Sequence, residues 1–169
     1  MKLQTQTQPE LRHLGELLED FSVAMLTTLD AEGALASRPM APLEMDSLGV
    51  LWFFTDLRSA KVEHLRQANL AFVDAARARF VSVAGRGEID TRREHVERLW
   101  SPMMRPWFPE GPDSPDLALL RFVPHLAEYW DAPHSKMVRM FALAASVVAG
   151  KPLGMGEHDK LSGLDTGRL

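Results

Sequence analysis

The sequence predicts a mainly β fold of the α+β type: about six antiparallel strands forming a barrel, with helices outside it. Three observations carry this. Apolar runs of strand length follow one another across short turns at Asp30–Gly33 and Asp46–Gly49. No crossover helix separates those first strands, so a doubly wound parallel sheet is disfavoured. No glycine-rich nucleotide loop of either common type is present.

The elements follow in order. Leu11, Leu14, Leu17, Leu18 and Phe21 fall at helical spacing behind Pro9, predicting a helix from Pro9 to Glu19 with one face on the core. Ser22–Leu29 and Ala34–Met45 read as strands, and Val50–Phe54 as a third, giving a hairpin-linked meander. Pro39 and Pro42 cannot donate to a ladder, so the second strand has an unpaired edge, a bulge or a ligand-facing surface there. Ser59–Gln67 is predicted as a helix, Leu70–Asp74 and Phe80–Asp90 as strands. Gly85 and Gly87 mark a bulge or a close backbone approach.

Thr91, with Glu94 three positions on, has the form of a capping box for a helix to Trp100. Ser101–Asp116 holds five prolines (Pro102, Pro106, Pro109, Pro112, Pro115) and two aromatics, Trp107 and Phe108, and reads as a stiff irregular loop. Leu117–Asp131 returns to strand character, interrupted at Pro124. Lys136–Ala149 reads as a helix stopped by Gly150. No linker divides residues 1–150, which read as one domain. Residues 151–169 are expected to form an extended or partly disordered arm.

Composition narrows the function. The chain has 169 residues, no cysteine, a formal net charge of −4 and 46% hydrophobic residues. Disulfides, thiolate metal sites and cysteine nucleophiles are excluded. Bulk charge does not suggest a nucleic-acid surface. The polar start and the lack of a membrane-length apolar run make a cytoplasmic location the expectation. The six histidines show no metal-ligand spacing, and no serine-nucleophile elbow occurs. The charge run from Asp90 to Arg98 reads as the solvated face of a helix.

One stretch offers chemistry. Val50–Phe54 ends at Thr55, and Ser59 and Lys61 follow at the start of the predicted helix. Two hydroxyls, free helix N–H groups and an ammonium can converge on a phosphate. Arg38, in the strand expected to lie alongside Trp52–Phe54, can join them. The alternative is a buried strand followed by a surface helix, with Arg38 an edge-strand surface residue.

Taken in order, Leu26-Thr-Thr, Gly33-x-x-x-Ser-Arg-Pro-Met40, Leu51-Trp-Phe-Phe-Thr55-x-x-x-Ser59-x-Lys61 and Val81-Ser-Val-x-Gly85-x-Gly-Glu88 resemble the pyridoxamine 5′-phosphate oxidase-like flavoproteins. Leu99-Trp100, Trp107-Phe-Pro-x-Gly-Pro-Asp113, Pro115-Asp-Leu-x-Leu-Leu120 and Glu128-Tyr-Trp-Asp131 resemble their bacterial general stress protein branch. The resemblance spans roughly Leu11 to Gly156. It implies a six-stranded antiparallel split β-barrel that forms a homodimer with FMN at the subunit interface.

By position, it implies that Arg38, Pro39 and Met40 line the isoalloxazine and phosphate side of the flavin, followed by Phe54 and Thr55. Ser59 and Lys61 would hold the phosphate. Trp130 would reach the flavin from the partner chain, with Trp107 a second cross-subunit candidate. The chain departs from the oxidase pattern at three places. Ala60 replaces one residue of a basic pair, Phe80 stands where the oxidase has a flavin-contacting glutamine, and Lys136–Met140 replaces the substrate segment. A flavin-dependent oxidoreductase that is not a true pyridoxamine phosphate oxidase is therefore expected. The alternatives are a non-catalytic flavin sensor or store, or a split barrel that binds haem or another flavin.

Overall fold

The structure is a computed structural model, and it describes residues 1–59, 65–131, 157–162 and 164. Its strands are β1 (Lys2–Leu3), β2 (Ala24–Leu29), β3 (Leu35–Met40), β4 (Glu44–Met45), β5 (Leu51–Asp56), β6 (Ala68–Asp74), β7 (Arg79–Asp90), β8 (Leu117–Asp131) and β9 (Glu157–Ser162). Among the described residues, two α-helices, α1 (Pro9–Leu18) and α2 (Arg93–Leu99), flank the strands. The mainly β, largely antiparallel fold expected from the sequence is present, with nine strands among the described residues rather than six. The sheet runs β1-β4-β5-β8-β7-β6-β2-β3, with β9 also paired to β8. Hydrogen bonding does not close it, and the β1–β4 pair is parallel.

β8 organises the sheet. Its fifteen residues pair along one edge with β7, and along the other first with β5 and then with β9. Pro124 does not interrupt it, as the sequence suggested. The ladder slips one residue there, with Gly85 opposite Pro124 and Ala84 opposite Leu126. A proline lacks an N–H, and a bulge accommodates the missing bond. A Cβ on Gly85 would run into the Val123 carbonyl oxygen and lie 2.6 Å from two atoms of the Phe122 ring, which explains the glycine.

The alternation of strand side chains sorts the apolar residues into two clusters. Leu26, Leu51, Phe53, Leu70, Phe72, Val81, Val83, Leu120 and Phe122 face one side, closed by Leu11, Leu14 and Leu18 of α1 and by Phe21. Val50, Trp52, Phe54, Leu117, Leu119 and Val123 face the other, closed by Val96 and Leu99 of α2. β5 is thus buried on both faces, which is why its sequence is a continuous apolar run rather than an alternating one. Each fully buried leucine contributes roughly 1.5–3 kcal/mol, so α1, with Leu14 and Leu18 at 0% exposure, is held by packing more than by propensity.

Three expectations are corrected. The meander breaks after β3. Among the described residues β3 pairs only with β2, at the end of the sheet, whereas β5 lies between β4 and β8. Arg38 therefore sits opposite Leu26 rather than alongside Trp52–Phe54. Pro42 lies in the break, and β4 resumes pairing for only two residues beyond it. The helix expected over Ser59–Gln67 falls largely on residues 60–64, outside the described residues. Ser59 itself closes a turn, its N–H donating to the Asp56 carbonyl at 3.0 Å, and Leu65–Gln67 are not helical. The capping box is not formed. α2 begins at Arg93, and Asp90, not Thr91, serves its start by accepting the Arg92 N–H at 2.9 Å. The helix expected over Lys136–Ala149 lies outside the described residues. Of the arm, Glu157–Ser162 forms β9 against Leu126–Asp131, and Leu164 is buried against the main core.

Candidate functional site

Thr55 is the informative residue. It sits one position before the end of β5, opposite Ala118 of β8, on the face shared with Leu51 and Phe53. Only 2% of it is exposed, and its hydroxyl has no hydrogen-bond partner among the described residues. An unpaired buried hydroxyl costs about 1–3 kcal/mol, so such a group calls for an explanation. Immediately beyond it the chain turns through Asp56, Leu57, Arg58 and Ser59, with Ser59 part-exposed. Lys61 lies outside the described residues.

Arg38 is half-buried on β3, on the face that carries Met40 into the main core. Its Nη1 donates to Thr28 Oγ1 at 3.1 Å. A guanidinium has five N–H donors, so others remain to be matched. Pro39 is exposed beside Met25. Met40 is 6% exposed within the main core. Phe54 is buried on the opposite face to Thr55, its ring 5.8 Å from Trp100 and 6.4 Å from Phe108. The structure thus places Thr55 and Ser59 at one strand end and Arg38–Met40 on the terminal strand of the sheet, with no direct pairing between them.

The aromatics expected at a subunit seam are on the surface. Trp107 is 70% exposed on the proline-rich loop, next to the Met103 turn. Trp130 is 40% exposed on β8, opposite Phe80 of β7, which is itself 39% exposed and stands opposite Val73 of β6. Met25, Leu35 and Val73 share that outer side of the sheet. A contiguous apolar row of this kind on a sheet surface commonly marks an interaction site.

Sequence reasoning missed a polar cluster on the other face. The run from Asp90 to Arg98 is not simply a solvated helix face. The Asp90 side chain is 4% exposed and accepts from Arg92 Nη2 at 2.6 Å and bonds His95 Nδ1 at 2.7 Å. Burial alone would push its carboxyl up. The side-chain and backbone hydrogen bonds from Arg92, with that from His95, outweigh this and hold it well below its ordinary value of 3.8. Arg98 reaches the buried Glu44 at 2.8 Å. His95 also stands edge-on to Trp52, 5.9 Å away. The only sequence signal was an aspartate two residues before Arg92, the residue preceding the helix, the spacing of a side chain that captures a backbone N–H.

A depressed carboxyl pKa has a direction in pH. The stability it contributes is present above the unfolded value near 3.8 and is lost as pH falls toward the lower folded value. Asp90→Asn is expected to destabilise by about 1–3 kcal/mol at pH 7. The gap between variant and wild type should narrow steadily below about pH 4. Urea unfolding at a series of pH values checks this, and a pH-independent gap would rule out the charge as the cause.

Among the described residues, no three His, Cys, Asp or Glu side chains are grouped to hold a metal. No helix among them is long and apolar enough to cross a membrane.

Comparison with known proteins bears on this arrangement. The family model described as pyridoxamine 5′-phosphate oxidase like matches residues 9–153. Among curated proteins, protein bli-3 of Neurospora crassa is 26% identical over 166 residues, covering 90% of this chain and 79% of that protein. A solved structure described as the general stress FMN/FAD binding protein of Xanthomonas citri is 33% identical, with a TM-score of 0.61, covering 75% of this chain and 90% of that one. A candidate general stress protein 26 from Jannaschia sp. CCS1 is 26% identical, with a TM-score of 0.70, covering 92% of this chain and 99% of that one.

Proposed function

This chain belongs to the pyridoxamine 5′-phosphate oxidase-like family, and from that premise we propose that it binds FMN at the seam of a homodimer. The observation that carries the reading is the buried, unpartnered Thr55 hydroxyl at the end of β5. A phosphate oxygen would give that hydroxyl the acceptor it lacks. Ser59 and Lys61 follow within six residues of Thr55 in the chain. A flavin phosphate therefore fits the donor set: two hydroxyls, an ammonium, and Arg38 contributed from β3. That the 33%-identical Xanthomonas citri protein is described as FMN/FAD binding supports a flavin.

In this reading the ring lies along the Arg38–Pro39 edge, and Trp130 approaches it from the second copy. Met40 and Phe54 act through backbone groups, because both side chains are buried in apolar clusters. The outer side of β2, β6, β7 and β8 forms the interface. Bound flavin supplies the electron-transfer chemistry, and the protein supplies binding, orientation and electrostatics. The cellular site is the cytoplasm. The activity is that of an oxidoreductase other than pyridoxamine phosphate oxidation, since Phe80 presents no amide to the flavin and the oxidase substrate segment is replaced.

The test is a titration of flavin-free protein with FMN and with riboflavin. Each charge-assisted bond to the phosphate contributes roughly 1.5–3 kcal/mol. Lys61→Ala should therefore weaken FMN binding about 10- to 100-fold and leave riboflavin binding nearly unchanged. Equal FMN affinity in wild type and variant would remove Lys61 from the cradle. No saturable FMN binding at all would remove the flavin reading. With FMN-loaded protein, turnover with a reduced nicotinamide donor separates an oxidoreductase from a flavin store. Anaerobic mixing with pyridoxamine 5′-phosphate should leave the flavin band intact.

A further inference from the structure

We propose that the proline-rich loop forms a second small-molecule site, which takes a single planar aromatic ring carrying a positive charge. A cavity of about 210 Å³ opens between the turn after β5 and this loop, lined by Arg58, Trp107, Phe108, Glu110, Ser114 and Asp116, with Pro109 and Pro115 at its edge. Pockets for drug-sized ligands run to roughly 300–1,000 Å³, so this one admits one ring with a small head group.

Its walls are aromatic. Trp107 is 70% exposed, yet it is set on a stiff segment between Pro106 and Pro109. Its N–H donates to Met104 O at 3.1 Å and that of Phe108 to the same oxygen at 3.1 Å, which fixes the turn that presents the indole. An open indole face on a fixed turn attracts a cation through its ring quadrupole.

The charge of the lining points the same way. Arg58 is already engaged: its Nη2 meets Asp56 Oδ2 at 2.8 Å, and its Nε lies 3.1 Å from Asp56 Oδ1 and 3.3 Å from Asp116. The hydrogen bond to Asp56 and the charges of Asp116 and Glu110 raise its affinity for its proton. Glu110 is exposed and makes no ion pair among the described residues. The lining therefore holds two carboxylates, Glu110 and Asp116, against the single guanidinium of Arg58, which Asp56 and Asp116 already share, so Glu110 is the lining charge without an ion pair among the described residues. An anionic ligand would meet both carboxylates. A planar cation would stack on Trp107 with its head toward Glu110. The site is distinct from the flavin cradle, in which Thr55 faces the main core.

Benzamidinium is the probe, with neutral benzamide and anionic benzoate as controls of nearly the same shape. Ligand-observed saturation-transfer NMR on the full chain, with and without FMN, reads all three. Benzamidinium is expected to bind at least tenfold more tightly than either control, and about equally in the two flavin states. Trp107→Ala and Glu110→Gln should each weaken it at least fivefold, and both residues are exposed enough for the variants to fold. Benzoate or benzamide binding as well as benzamidinium would overturn the proposal, as would unchanged affinity in Trp107→Ala. Because the flavin-free protein is measured too, failure of FMN to bind leaves this result readable.

Discussion

Replacing Gly85 by alanine is expected to cost about 3 kcal/mol or more, and replacing it by valine should leave the chain unable to fold stably. The cause is local and rigid. The added Cβ would meet a backbone carbonyl, that of Val123, and would sit 2.6 Å from both Cε1 and Cζ of Phe122. Phe122 is fully buried in the main core and cannot swing aside without opening a cavity there. Relief would require β7 and β8 to separate at the bulge, where the ladder is already one bond short. Gly33 supplies the control. Its φ is +82°, but nothing lies within 4 Å of an added Cβ. Gly33→Ala should therefore cost only the left-handed penalty, roughly 1–2 kcal/mol. Urea denaturation of the three proteins separates the two mechanisms. A Gly85→Ala protein no less stable than Gly33→Ala would show that the bulge yields easily.

The same bulge illustrates what the sequence made legible. Gly85 and Gly87 within an alternating run pointed to a close backbone approach, because only a glycine tolerates one there. The span of β7 was legible for the same reason, as was α1, whose leucines repeat at helical spacing behind a proline. The fate of β5 was not. Its apolar run signals burial on both faces but says nothing about which strands flank it. Its partner β8 begins more than sixty residues later in the chain, and such a pairing leaves no local mark. The meander assumed that consecutive strands pair, and Pro42 broke that assumption.

The candidate site was legible as a list of residue types and not as a geometry. Thr55 and Ser59 were identified by spacing alone. That the Thr55 hydroxyl is buried and unpaired depends on β8 and the core behind it, which no window of the sequence contains. Asp90 was misjudged because a charge run reads as solvent-facing. What buries its carboxylate is the packing of α2 on Trp52, and what keeps it charged is Arg92 and His95, five residues or fewer away.

Phe80→Asp is expected to convert the proposed homodimer into a monomer and to weaken FMN binding with it. Register places Val73 opposite Phe80 and Phe80 opposite Trp130, and the three are 59%, 39% and 40% exposed. Met25, 39% exposed, lies on the same side, between Pro39 and Ala71. A row of this kind running across β6, β7 and β8 matches the apolar centre of an isologous interface, where each copy presents the same patch to the other. In such an interface one substitution acts twice. An aspartate at position 80 would bring two like-charged carboxylates into the seam beside Val73 and Trp130, and each copy would lose an aromatic anchor. A buried unpaired charge costs several kcal/mol, so about 4 kcal/mol across the two copies is a modest figure, and it corresponds to roughly a thousandfold in the dimer dissociation constant. Phe80 is open to solvent in the single chain, so the variant should keep its far-ultraviolet circular dichroism and its fold. Light scattering at micromolar concentration, together with FMN titration of the same samples, reads both effects. A wild-type protein that is monomeric there would remove the interfacial flavin site outright. A Phe80→Asp protein that stays dimeric and binds FMN normally would place the interface on another surface.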